Sequence, residues 1–63
     1  MKPMKARELI RYVESKGWVH VGTTGSHMQF SKKGYRLTIV GPANNIVSPG
    51  VVRTVKNTVK EVG

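Results

Sequence analysis

From Lys5 to Lys16 the apolar residues fall at Ala6, Leu9, Ile10 and Val13, the spacing of a helix with one apolar stripe. Lys5, Arg7, Arg11 and Lys16 occupy its other faces, and Gly17 is a suitable stop. The period then changes to two. Trp18 to Gly22 predicts a strand, Gly22-Thr23-Thr24-Gly25 a turn, and Ser26 to Ser31 a second strand. Lys32-Lys33-Gly34 turns the chain again, and Tyr35 to Val40 predicts a third strand. Gly41-Pro42-Ala43-Asn44-Asn45 is a loop by composition. Ser48 then offers an N-cap and Pro49 a first helical residue, with Val51, Val52, Val55, Val59 and Val62 as the apolar face of a second helix.

The alternation also suggests a register. A hairpin symmetric about Thr23-Thr24 pairs Val19 with Met28 and His20 with His27. One symmetric about Lys32-Lys33 pairs Met28 with Leu37 and His27 with Thr38. Both keep Val19, Val21, Met28, Phe30, Tyr35, Leu37 and Ile39 on one buried face, which a slip of one residue would not. Trp18, His20, His27, Gln29, Arg36 and Thr38 then share the opposite face. Since the strands have one apolar face, both helices must cover it. The expectation is an α+β fold in the order α-β-β-β-α, with a three-stranded antiparallel sheet carrying two helices on one face and leaving the other open.

Sixty-three residues fit one domain, taken as residues 1–63. The chain has no cysteine, which excludes disulfides and thiolate metal sites. Its acids are Glu8, Glu14 and Glu61, all on the expected helices, so no carboxylate cluster is available for Mg²⁺ or Ca²⁺. Neither a metal nor another cofactor is expected. Apolar runs are short, as at Ile39-Val40, so neither a membrane span nor a signal peptide is expected, and the cytoplasm is the expected compartment. Charge changes the picture most. Eleven Lys and Arg against three acids give a net charge of +8, which favours an anionic partner.

His20 and His27 are the side chains of a type that titrates near neutral pH. An isolated histidine on a strand is ordinarily solvent-facing with no task. Here the expected register sets the two imidazoles opposite each other, at cross-strand range, with Arg36 on the same face. Such a group can hold a phosphate and move protons around it.

Lys16-Gly17-Trp18 followed by Gly25-Ser26-His27-Met28-Gln29-Phe30 resembles the HicA family of toxins, marked by a glycine-aromatic pair and then G-S-H-x-x-[F/Y]. Ser48-Pro49-Gly50-Val51-Val52-Arg53-Thr54-Val55-Lys56 is similar to that family's G-T-L-R helix start. The resemblance runs in order over nearly the whole chain, and the family's layout, similar to double-stranded-RNA-binding domains, agrees with the one derived above. One element departs from it. Family members commonly have a second histidine in a P-x-H element after the third strand, where this chain has Pro42-Ala43-Asn44. That histidine's task is then either dispensable or taken over by Asn44 or His20.

The resemblance implies metal-independent cleavage of mRNA by a single central histidine, His27, while the expected register and the missing P-x-H histidine add His20 as an auxiliary group. Cutting RNA without a metal needs a base for the attacking 2′-hydroxyl and an acid for the departing 5′-oxygen, and a histidine can serve as either. Because the RNA supplies its own nucleophile, Ser26 is assigned to RNA binding, although it also fits a plain strand start. Arg36, Lys32 and Lys33 would steer the backbone, the two lysines fitting a solvated turn equally well. Trp18 either stacks a base or anchors the edge of the sheet. The implied partner is a HicB-type antitoxin with an acidic patch that occludes His27.

Three other classes fit less well. A non-catalytic RNA-binding module shares the fold and charge but has no need of His27. A DNA-binding regulator lacks helix-turn-helix spacing, the whole sheet lying between the helices. A membrane-surface peptide would need the apolar helix faces that the core uses.

Overall fold

The apolar stripe of the first helix and the valines of the second are drawn to one surface, and the sheet is built around that. The computed structural model describes residues 3–42 and 44–63. In chain order the elements are β1 (Met4–Lys5), α1 (Ala6–Ser15), β2 (Val19–Thr24), β3 (His27–Lys32), β4 (Tyr35–Val40), β5 (Ile46–Val47) and α2 (Pro49–Val62). Strands β2-β3-β4 form an antiparallel sheet in that order, and both helices lie on one of its faces. The fold is α+β. Ala6, Leu9 and Val13 of α1 meet Val52, Val55 and Val59 of α2 over Phe30, Leu37 and Ile39. Burying each such aliphatic side chain contributes about 1.5–3 kcal/mol, and this is what holds a valine-rich helix of modest propensity. Val51 alone departs from the expected α2 face: it is exposed in the first turn. No described helix is long and apolar enough to cross a membrane.

A short ribbon of β1 with β5 was not legible in the pattern. Met4 pairs with Val47 and Lys5 with Ile46, and the Ala6 N–H donates to Asn45 O at 2.8 Å. That bond satisfies one of the orphan donors at the start of α1 and ties the two helix N-termini side by side. Ser48 occupies the N-cap of α2, but its hydroxyl makes no capping bond; its carbonyl accepts from Val52 N–H at 3.0 Å.

The end of α1 decides where Trp18 goes. Trp18 N–H donates to Val13 O (3.1 Å) and Gly17 N–H to Glu14 O (3.0 Å), with Gly17 at φ 93°. This is a Schellman stop, which brings the residue after the glycine back onto the last turn. Trp18 therefore packs into the core at 2% exposure rather than lying on the open face.

Both hairpin registers differ from the expected ones. Lys33 (φ 53°) and Gly34 (φ 83°) form the β3–β4 turn, one residue later than expected, because the glycine takes one of two positive-φ positions at no steric cost. Met28 thus faces Ile39 and Phe30 faces Leu37. A turn moved by one residue shifts each partner by two, so the faces are kept although every pair changes. The β2–β3 turn moves further, to Gly25-Ser26, with Thr24 opposite His27. Val21 is then an unpaired bulge residue between His20, opposite Phe30, and Gly22, opposite Gln29. A single extra residue reverses the face of everything before it. Val19 and Val21 are exposed as a result; Tyr35 is exposed too, but by its place at the end of β4 beside the second turn.

Candidate functional site

His27 opens β3 directly after the Gly25-Ser26 turn, and its side chain is exposed. The open face of the sheet carries His27, Gln29 and Ser31 from β3 with Val40, Thr38 and Arg36 opposite them on β4. Gly41 N–H donates to Ser26 O at 2.6 Å, and Asn45 Nδ2 donates to Val40 O at 3.4 Å. These two bonds fold the loop after β4 against the His27 end of the sheet. Ser26, exposed in its turn, and the exposed Asn44 therefore stand at the same end as the imidazole. In the Pro42-Ala43-Asn44 element, Ala43 lies outside the described residues. Asn45 is the residue that sequence reasoning missed; its signal was only its place in a polar loop, and its amide and carbonyl hold that loop in position.

The remaining site candidates scatter. Arg36 shares the open face with His27 but sits opposite Ser31, four strand positions away, or about 13 Å. It stands along the sheet from the imidazole and not beside it. Lys33 is exposed in the β3–β4 turn, at the far end of β3 from His27. Lys32 is on the helical side of the sheet, where its ammonium donates to Lys16 O at 2.5 Å. A cation at that carbonyl caps α1 and favours its dipole, which gives Lys32 a structural task. Trp18 is a core residue, so its ring is not available to stack a base.

His20 is the main correction. The bulge at Val21 places it on the helical side, opposite Phe30, and so on the other face of the sheet from His27. Its ring centre is 5.2 Å from that of Phe30, and its Nε2 shares a hydrogen bond with the Thr23 hydroxyl at 2.9 Å. It stays exposed, and the main helix contacts with this sheet fall on β4. The expected imidazole pair does not form. Consequently His20→Ala is expected to leave any chemistry at His27 within about twofold of wild type, while losing on the order of 1 kcal/mol of stability with the contact over Phe30. Thermal melting and a reaction rate measured on the same preparation check this; a tenfold loss of rate without a change in melting would restore His20 to the site.

Among the described residues no group of three His, Asp or Glu side chains is placed to hold a metal ion. The site is instead a shallow, open surface: one exposed imidazole at a sheet end, hydroxyls and amides around it, and a cationic protein beneath. Such a surface can move a proton on a large ligand laid across it.

Searches of curated proteins and of solved structures match nothing. The family model described as "HicA toxin of bacterial toxin-antitoxin" matches residues 6–63, from the first residue of α1 to the end of α2. The match spans the G-S-H element at the open sheet end and both helices behind it, and the chain belongs to the HicA toxin family of bacterial toxin–antitoxin systems.

Proposed function

We propose that this toxin is a metal-independent endoribonuclease acting on mRNA, with His27 as its catalytic residue. The observation that carries the reading is the position of His27: an exposed imidazole on the open sheet face, reachable by a polymer, in a chain of the toxin family. The imidazole takes the proton of a 2′-hydroxyl as that oxygen attacks the neighbouring phosphorus. The bond from phosphorus to the 5′-oxygen breaks, and the proton is delivered to that leaving oxygen. The products are a 2′,3′-cyclic phosphate and a 5′-hydroxyl end, and no redox or metal step is required. With His20 on the other face, one imidazole serves both proton transfers, assisted by donors at the same end such as the Ser26 hydroxyl and the Asn44 amide. General acid–base help of this kind is worth about 10²–10⁴-fold, which fits a slow enzyme that acts by persistence.

An RNase active in the cytoplasm would arrest its own host, so the resting form is a complex. The partner in this reading is a HicB-type antitoxin that covers His27. Its contact patch is acidic, since it meets a chain of net charge +8, and fast capture follows from that complementarity. Val40 and Ile46, both exposed near the His27 end, give the interface apolar anchors as well.

The test is direct. Purified protein incubated with a long RNA in EDTA is expected to yield fragments ending in cyclic phosphate. Intact RNA, bound but uncut, would replace this reading with a non-catalytic RNA-binding module.

A further inference from the structure

Four lysines and two tyrosines line the helical side of the sheet and the β3–β4 turn, away from the open face that carries His27. Lys16 Nζ from the end of α1 lies 5.8 Å from the centre of the Tyr12 ring, and Lys56 Nζ from α2 lies 5.5 Å from the same centre. Lys32, on β3, reaches Lys16 O. Lys33, in the next turn, comes close to the C-terminus of α2: a β-carbon added at Gly63 would lie 3.8 Å from its Nζ. Tyr35, cross-strand from Lys32, has 59% of its surface exposed. Glu14 and Glu61 are the carboxylates on the adjoining helix ends, so the cluster keeps a positive balance.

Ammonium groups held near one another repel, and a ring shared by two of them offsets only part of that. What suits the arrangement is a polyanion whose charges alternate with flat groups. Single-stranded nucleic acid is that ligand: phosphates meet lysines while bases stack on aromatic faces. Neither a lipid headgroup nor an acidic peptide calls for an exposed ring such as Tyr35 on the same side of the sheet as the cations.

We propose that this surface is a docking site for single-stranded RNA, with Tyr35 stacking a base and Lys16, Lys33 and Lys56 holding the flanking phosphates. The inference takes its ligand from the ribonuclease reading and adds a second contact region. Lys32 is five strand positions from His27, about 16 Å, so the strand is gripped several nucleotides from the bond that is cut. Arg36, on the open face near the same turn, and Lys33 within it mark the route between the two regions.

Titration of a long single-stranded RNA onto the His27→Ala protein tests it, since the RNA then stays intact. Lys16→Gln with Lys56→Gln is expected to weaken binding about tenfold near 0.1 M salt and to lower the slope of log affinity against log salt by about 1.4, the loss of two phosphate contacts. Lys16→Arg with Lys56→Arg should keep both. Tyr35→Ala is expected to weaken RNA binding about tenfold and Tyr35→Phe hardly at all, since the stacking face is what matters. Inorganic polyphosphate, having no bases, should bind Tyr35→Ala as well as it binds the parent. Unchanged RNA affinity and salt slope in the Lys16/Lys56 double variant would overturn the site, as would equal losses of RNA and polyphosphate on Tyr35→Ala. Tighter binding of anionic vesicles or acidic peptides than of RNA would overturn it too. Failure of wild type to cut RNA in EDTA is a separate result: it removes the ribonuclease reading and leaves this binding experiment to be judged by its own outcomes.

Discussion

His27→Ala is expected to abolish RNA cleavage, a fall of about 10²–10⁴-fold toward background, and with it growth arrest on expression. In the proposed reading the loss is large because one imidazole would carry both proton transfers and its neighbours cannot substitute. Ser26, Gln29 and Asn44 donate and accept hydrogen bonds, but none gains or gives up a proton near neutral pH. Arg36 is about 13 Å off, and His20 is behind the sheet. Folding should be indifferent. His27 is exposed at the start of β3, outside the buried cluster, so the circular dichroism spectrum and melting temperature should stay within the small range of surface substitutions, about 0.5 kcal/mol. Cleavage assays in EDTA and thermal melts on one preparation decide the matter. A His27→Ala protein that cuts RNA at the wild-type rate would end the catalytic assignment.

Trp18→Ala is expected to do the reverse and destroy the fold. Its ring is the largest in the core, 2% exposed, held there by the Schellman stop of α1. Truncating a buried Trp costs about 3–5 kcal/mol. A domain of 63 residues has about 3–9 kcal/mol in total, so most or all of its stability goes. Trp18→Phe distinguishes packing from chemistry. The Trp18 Nε1 finds no hydrogen-bond acceptor among the described residues, so a phenyl ring forfeits no bond and only part of the volume. That variant should fold and should bind RNA as the wild type does. If Trp18→Ala instead melts like wild type and loses RNA affinity, the ring is a stacking platform and not a core residue.

Much of the architecture could be read from residue order. The stripe at Ala6, Leu9, Ile10 and Val13 makes a helix in any context that offers an apolar surface, and Tyr35 to Val40 appears with the bounds expected of it. The sharing of one face by Met28, Phe30, Leu37 and Ile39 also survived, even though the pairs behind it did not. A two-residue change of partner preserves parity, so alternation reports the face and is blind to the pairing. The G-S-H element singles out His27 as a candidate without help from the register.

The companion histidine could not be read this way. Whether His20 joins His27 depends on one unpaired residue, Val21, and a bulge leaves no mark in a pattern of period two. Nor could pattern show that Trp18 turns inward, because the Schellman bond that turns it is made by backbone, or that Lys32 is taken up by the α1 carboxyl end. The β1–β5 ribbon pairs segments some forty residues apart, too short to carry any periodicity of their own. Local order and apolar period thus determined the helices, the strands and the buried face of this protein, since those depend on spacing along the chain. Which titratable groups meet depended on turn centres and a bulge, where differences of one residue are settled by packing across the sheet, and so only the tertiary structure decided that His27 stands without a second histidine.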